Sequence, residues 1–328
     1  MTLTYHGGQS LSIRFAGRDG PPVRSCGAMR CYCCDPANPD RITAHDATGA
    51  TMRFSARFEG PPGAVNGGMA AGALACPALA AAVRGGATHA AVTRITARLH
   101  RGIPHSRDLR ADTSATGGAL DVSLRDGEDV CISARVEVAS LAQQARPGDV
   151  LSSPPADLGA MLHEMAAVCD PNAPPFFEET GDHPISGCFS CGPDNARGLH
   201  IFPRFAADGV TWAWWPPAPA FVDADGGIAS SIVASALDCS SGICLPREQQ
   251  EELLRDDQFY LLGSLDVRYL RVPPADARYH VVGHARQRDG RKFFGLSALF
   301  DDAGTAYATA DATWIIVAMT RTQAFGGR

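Results

Sequence analysis

The stretch Cys31-Tyr32-Cys33-Cys34-Asp35-Pro36-Ala37-Asn38 returns 157 residues later as Cys188-Phe189-Ser190-Cys191-Gly192-Pro193-Asp194-Asn195. Both copies read Cys-aromatic-x-Cys-x-Pro-x-Asn. The correspondence continues outward from this pair. Ala73-Leu74-Ala75-Cys76 answers Ala236-Leu237-Asp238-Cys239 at an offset of 163, and Arg98-Leu99-His100-Arg101 answers Arg268-Tyr269-Leu270-Arg271 at an offset of 170. A slowly growing offset is that of one domain duplicated, with longer loops in the second copy. The period is far too long for a solenoid.

A chain of 328 residues accommodates two domains of ordinary size, each with its own core. The net charge of −6 argues against a nucleic-acid partner or an anionic membrane surface. Residues 1–20 lack the charged-then-apolar pattern of a secretory signal, and no apolar run reaches the length of a membrane span. The expected compartment is therefore a reducing cytoplasm. There the 11 cysteines stand as thiols or metal ligands rather than as a disulfide framework.

Periodicity assigns the same order of elements to each half. Thr51 to Phe58 alternates like a strand, Pro61-Pro62-Gly63 breaks it, and Asn66-Gly67-Gly68 opens an almost wholly apolar helix from Met69 to Val83. Strands are expected at Val92–Leu99, Leu109–Ala115, Ala119–Arg125 and Asp129–Ser140, with Asp126-Gly127 as a hairpin turn. In the second half Val210–Trp215 is a strand and Ala229–Leu245 the buried helix. The strands Gly263–Tyr269, Tyr279–Arg288, Lys292–Asp301 and Thr305–Ala318 follow. One apolar helix followed by an antiparallel meander implies an α+β layer with the sheet wrapped around the helix. The prolines between residues 146 and 187 mark a linker enclosing a short helix, Ala156 to Val168. The expected division is residues 1–145, a linker 146–182, and residues 183–328.

The segment Cys188-Phe189-Ser190-Cys191-Gly192-Pro193-Asp194-Asn195-Ala196-Arg197-Gly198-Leu199 resembles the C-F-x-C-G-x-x-N-P-x-G-L signature of hotdog-fold proteins. These belong to the acyl-CoA thioesterase branch related to the phenylacetate-pathway (PaaI-like) enzymes. The resemblance covers residues 183–318 well and 28–140 more loosely. It implies two hotdog domains in one chain, each an antiparallel sheet around a buried central helix. It also implies sites between units, where one unit supplies Gly-Gly at its helix start and the other an acid two turns into its own helix. Helix-start amides are unpaired and carry the positive end of the dipole, so they can stabilise a thioester oxyanion. The opposing carboxylate activates water or attacks the carbonyl.

Carried over residue by residue, the two halves have lost complementary parts. Gly67-Gly68 keeps the glycines, with Asn66 before them, but Ala75 stands seven residues on where the acid belongs. Asp238 keeps the acid, but Ser231 stands seven residues before it. Only the pairing of Gly67 and Gly68 with Asp238 retains both parts. Asn66 is read as a thioester contact or helix cap, and Ser241 as a group orienting water or bonding its own backbone. The plainer alternative makes Gly67-Gly68 a turn and Asp238 a buried carboxylate satisfied by Ser240 or Ser241.

The two Cys-x-x-Cys pairs, Cys31 with Cys34 and Cys188 with Cys191, raise the alternatives of one four-thiolate zinc site or of small packing residues. His100 and His183 show no cluster spacing. Arg98, Arg101, Arg268 and Arg271 occupy matched positions from which a coenzyme A phosphate could be held. The expectation is hydrolysis of an acyl-CoA or carrier-protein-bound acyl thioester, with no required cofactor beyond the substrate's own coenzyme A. The two halves form a pseudo-dimer, and further homodimerisation is optional. Two rivals stand beside this: a hotdog lyase (dehydratase or cyclase) and a non-catalytic acyl-ligand binder.

Overall fold

The computed structural model describes residues 31–318, except 157, 160–171, 181, 182, 184, 224 and 225. The first half contributes strands β1 (Thr43–His45) and β2 (Ala50–Met52), then helices α1 (Gly67–Ala73) and α2 (Ala75–Arg84). Strands β3 (His89–Leu99), β4 (Leu109–Thr116), β5 (Ala119–Asp126) and β6 (Asp129–Leu141) complete it. After the short helix α3 (Phe176–Thr180) come β7 (Arg204–Ala207), β8 (Val210–Trp215), α4 (Ser230–Ile243) and α5 (Arg247–Arg255). The chain ends on β9 (Gln258–Tyr269), β10 (Tyr279–Asp289), β11 (Lys292–Asp301) and β12 (Ala306–Ala318).

All 12 strands join one sheet in the order β1-β2-β4-β5-β6-β3-β9-β12-β11-β10-β8-β7. The order within the second half is the reverse of that in the first, so the halves meet where β3 lies against β9. These two strands pair antiparallel from Arg94↔Arg268 to Arg98↔Ser264. Backbone ladder bonds therefore cross between the halves.

Helices α1 and α4 pack face to face on the concave side of the sheet. The contact is close because Gly68 and Gly72 face α4. A Cβ on Gly68 would lie 2.4 Å from the Ala234 carbonyl oxygen, and one on Gly72 would lie 2.6 Å from Ser231 Cα. Both helices are buried nearly throughout. Burial of such apolar faces is the main favourable term in folding.

The single helix expected from Met69 to Val83 is broken at Leu74, for a covalent reason. Pro77 has no N–H to give the Ala73 carbonyl, and its ring crowds that carbonyl. Taken through the break, residues 67–84 are long and apolar enough to cross a membrane by composition alone, yet 78% of that run is buried inside the protein. It serves as a core helix. The strand expected over Thr51–Phe58 stops at Met52 and gives way to a 3-10 turn at Ala56–Phe58. Its alternation reflects burial of Met52, Phe54 and Phe58 rather than sheet pairing. Strands β1 and β7 are only three and four residues long, and helix α5 is mostly polar, with Leu253 buried. The helix expected at Ala156–Val168 falls mostly outside the described residues. The segment before it lies along the second half, with Gly148 N–H donating to Val272 O and Leu151 N–H to Leu270 O.

Candidate active site

Asn66 caps α1, its Oδ1 accepting from Met69 N–H at 2.9 Å and from the Ser235 hydroxyl of α4 at 2.9 Å. That second bond ties the start of one helix to the middle of the other. One turn further along α4, Asp238 Oδ2 accepts from Gly68 N–H at 2.8 Å. A carboxylate from the second half thus touches the helix start of the first, and the absence of a side chain on Gly68 is what permits it. The other oxygen, Asp238 Oδ1, has no hydrogen-bond partner among the described residues.

Burial pushes the Asp238 carboxyl up from its ordinary 3.8 to about 7. The Gly68 amide pulls it down, the neighbouring Cys188 thiol raises it, and Asn66 lowers it a little. Its proton therefore exchanges near neutrality, as a general base requires.

Asn66, Gly67 and Asp238 line a cavity of about 340 Å³ whose remaining wall is largely apolar: Leu99, Ile103, Phe176, Phe259, Leu262, Trp314 and Val317, with Tyr260 among them. Gly67 lines this cavity, while Gly68 is not among its lining residues and its amide is occupied by the carboxylate. The two glycines expected to act together therefore stand in different surroundings. Ser241 does not reach the carboxylate. Its hydroxyl donates to the Asp238 backbone carbonyl at 2.6 Å and accepts from Trp314 Nε1–H at 3.1 Å. Ser240 does not satisfy Asp238 either, and its own hydroxyl is unpartnered among the described residues.

The Cys-aromatic-x-Cys segments are scaffolds that each half lends to the other. Phe189 N–H donates to Glu59 O at 2.6 Å, and Asn195 Nδ2 donates to Arg57 O and Gly187 O at 2.8 and 3.0 Å. Phe58 meets Phe189 edge to face with centroids 5.0 Å apart. These contacts hold the loop that leads into Asn66. In reciprocal fashion, Tyr32 N–H donates to Asp223 Oδ1 at 2.6 Å, holding the loop before α4.

The four cysteines expected to share one metal do not come together. Cys31 and Cys34 converge with Cys76 of α2, whereas Cys188 and Cys191 converge with Cys239 of α4. A single four-thiolate site is therefore corrected to two separate triads, each completed by the helix cysteine of its own repeat. That third cysteine was visible in the Ala73–Cys76 and Ala236–Cys239 repeat. Cys188, Cys191 and Cys239 line the cavity. Hydrogen bonds from Cys191 and Cys239 hold the Cys188 thiol low, at the expense of the two donors.

Of the four arginines only Arg101 lines the cavity, and it is ion-paired with Asp129. Arg98 lines a separate, larger depression of about 570 Å³, which holds neither Asp238 nor the α1 amides. Arg268 sits in the β3–β9 ladder opposite Arg94, and Arg271 bonds Gly148 O at 3.4 Å. Alternation along a strand assigns side chains to faces but does not say which face carries the cavity. His100 and His183 also line the cavity, and neither hydrogen-bonds Asp238; His183 Nδ1 accepts from Ile185 N–H at 3.1 Å. Sequence reasoning missed Tyr260, Phe259 and Trp314, whose only signal was aromaticity near the ends of strands.

The pseudo-equivalent place in the other half has closed to about 70 Å³. It is lined by Ser230, Tyr269, Leu151 and Ala145, and the Tyr269 hydroxyl donates to Ser230 O at 2.9 Å. The corresponding residue beside the open cavity is Leu99. Three features therefore distinguish the closed place from the open one: Ala75 in place of an acid, Ser230-Ser231 in place of the two glycines, and tyrosine in place of leucine.

No protein-family model matches the sequence, and no curated protein matches it significantly. Solved structures do match in three dimensions. A protein of unknown function with a hot dog fold from Alicyclobacillus acidocaldarius aligns at a TM-score of 0.54 and 12% identity, over 84% of this chain and 96% of its own. The acyl-CoA thioesterase II TesB2 of Mycobacterium marinum aligns at 0.53 and 13%, over 83% and 94%. The tesB protein of Mycobacterium avium subspecies paratuberculosis aligns at 0.52 and 10%, over 83% and 94%. With the helix-wrapping antiparallel sheet, these alignments establish the chain as α+β with the hotdog fold.

Proposed function

We propose that the protein hydrolyses an acyl thioester, with coenzyme A or a carrier protein as the leaving thiol, at a single composite site between its two halves. The observation that carries this reading is the 2.8 Å bond between the Gly68 amide and Asp238, beside a largely apolar cavity. The acyl group occupies the apolar wall, and its carbonyl oxygen turns toward the Gly67 amide at the positive end of α1. Asp238 Oδ1 takes a proton from water as the water attacks the carbonyl carbon, or attacks that carbon itself to form an acyl-aspartyl anhydride that water then hydrolyses to the free acid. Collapse of the tetrahedral species expels the thiolate. The Gly68 amide keeps the carboxylate aimed throughout.

Thioesterase names among the structural neighbours agree with this chemistry, and the resemblance of the Cys188–Leu199 segment to the phenylacetate-pathway branch supports it. Arg101 at the cavity mouth is the arginine best placed for a phosphate-bearing thiol. Incubation with a panel of acyl thioesters, followed by mass spectrometry, tests the reading. Release of free acid and thiol is expected. Loss of water with the thioester intact would favour a lyase. Tight binding with every thioester unchanged would favour a non-catalytic binder.

A further inference from the structure

Apart from the acyl cavity, the densest cluster of metal-ligating atoms among the described residues lies in the first half. Cys31 and Cys34 come from the turn at the start of the described chain, Cys76 from the first turn of α2, and His45 from the end of β1. The Sγ atoms of Cys31 and Cys34 are 3.2 Å apart, and those of Cys31 and Cys76 are 3.5 Å apart. His45 Nε2 lies 3.2 Å from Cys76 Sγ. All four side chains are more than nine-tenths buried. His45 Nδ1 has no hydrogen-bond partner among the described residues, and Nε2 is directed at the Cys76 thiol.

We propose that Cys31, Cys34, Cys76 and His45 bind one zinc ion as a structural Cys₃His site. Tetrahedral zinc with Zn–S of about 2.3 Å and Zn–N of about 2.0 Å sets its ligands about 3.6–3.8 Å apart. The three separations given above are shorter by a few tenths of an ångström, and the sulfurs of Cys31, Cys34 and Cys76 all lie within 4.8 Å of one another. His45 is not within that distance of all three, so its ring turns toward Cys31 and Cys34 to complete the tetrahedron. Three soft thiolates and one imidazole form a donor set suited to zinc and unsuited to calcium or magnesium. Binding displaces three thiol protons to solvent and leaves the imidazole neutral. Three segments remote in sequence would then be clamped together: the Cys-rich turn, β1 and α2.

The repeat explains why the first half carries this site. Cys33 N–H and carbonyl lie between the cysteines, and the Cys33 carbonyl accepts from Ile42 N–H; in the second half the Ser190 carbonyl accepts from Ile201 N–H. Three residues after Ile42 stands His45, whereas three residues after Ile201 stands Arg204, whose guanidinium donates to Ala173 O. Arginine stays protonated and cannot ligate a metal. The clamp also serves the closed place described above. The same turn carries Tyr32, bonded to Asp223, and Cys33, whose Sγ is 3.5 Å from Ser231 Oγ at the start of α4.

The test uses the full-length protein, purified under reducing conditions from zinc-supplemented medium. Elemental analysis is expected to find zinc retained at about one per chain, with Cys191→Ser leaving that value unchanged. Cys76→Ser and His45→Ala should each retain less than about a tenth of it. Should those variants fail to fold, the wild-type protein answers alone. Exchange into cobalt(II) should produce the thiolate charge-transfer and tetrahedral ligand-field bands of an S₃N site, and a chelator should lower its Tm. The proposal is overturned if the reduced wild-type chain retains no zinc and gives no cobalt–thiolate band. It is equally overturned if the metal is lost only in Cys191→Ser.

Discussion

Replacing Asp238 by asparagine separates the chemistry of the site from its stability, because the two should move in opposite directions. The amide keeps a carbonyl oxygen to accept from Gly68 N–H, so the contact between the halves survives. What disappears is the buried charge. A carboxyl raised from 3.8 to about 7 holds its proton roughly a thousandfold more tightly in the folded chain than in the unfolded one. At alkaline pH that difference costs the native state about 4 kcal/mol. The sign follows from proton counting. Between 3.8 and about 7 the folded protein binds more protons than the unfolded chain, so stability falls as pH rises through this window and then levels off. Asp238→Asn lacks the fall. Chemical denaturation at about pH 5 and about pH 8.5 should therefore show the variant gaining on wild type by roughly 3 kcal/mol between the two. Over the same range wild-type kcat/KM for a cleaved thioester should rise with a midpoint near pH 7, and the variant should be slower by ~10²–10⁴. Parallel stability curves would show that Asp238 does not bear a buried titrating charge. Undiminished hydrolysis by the variant would remove it from the mechanism.

Four further outcomes follow from the packing. Gly68→Ala forces a methyl against the Ala234 carbonyl and Asp238 Cβ, and Gly72→Ala forces one against Ser231 Cα; each should lower stability by about 1–3 kcal/mol in urea titrations. Only Gly68→Ala should also lose most of its kcat, since only it shifts the carboxylate. Asn66→Ala removes the α1 cap and leaves the Ser235 hydroxyl unsatisfied, for a loss of about 1–2 kcal/mol measured the same way. Tyr269→Leu should open the closed place and lower Tm without creating a second active site, because Ala75 stands where an acid would be needed; unchanged active-site titration would confirm it. Residues 1–150 or 183–328 expressed alone should aggregate, since each exposes the β3 or β9 edge and one face of the α1–α4 pair. Monomeric, cooperatively unfolding halves would contradict this.

The repeat, the two apolar helices and most of the long strands were legible in the sequence, because each rests on local periodicity or on a residue class that survives duplication. Gly68 and Asp238 could also be singled out. A glycine at a helix start and a lone acid in an apolar helix are local anomalies, and the repeat says that each lacks its counterpart. The distribution of labour was not legible. Nothing local distinguishes a glycine that lines a cavity from one whose amide meets a carboxylate, since Gly67 and Gly68 differ only by a rotation about α1. The arginines failed for a similar reason: strand alternation relates Arg98 to Arg268 but is silent on which side of the curled sheet the helices take. The cysteines were grouped by motif rather than by repeat, which joined Cys31 and Cys34 to the wrong pair.

The asymmetry between the halves ties these findings together. A two-fold arrangement of identical units would place an acid and an open cavity at both helix starts. Here one start keeps Asn66, Gly67 and a leucine-lined cavity, and the other has Ser230 covered by the Tyr269 ring and hydroxyl. Once both copies lie in one chain they no longer share a sequence, so each can relax a different constraint. On the proposed reading, Ala75 in place of an acid leaves the closed place with no substrate to admit. A tyrosine can then fill it, exchanging a cavity for buried aromatic area and a satisfied hydroxyl. The open place bears the opposite burden, a desolvated carboxylate that lowers stability above neutral pH. The closed half, by packing its own site shut, offsets part of what the open half gives up.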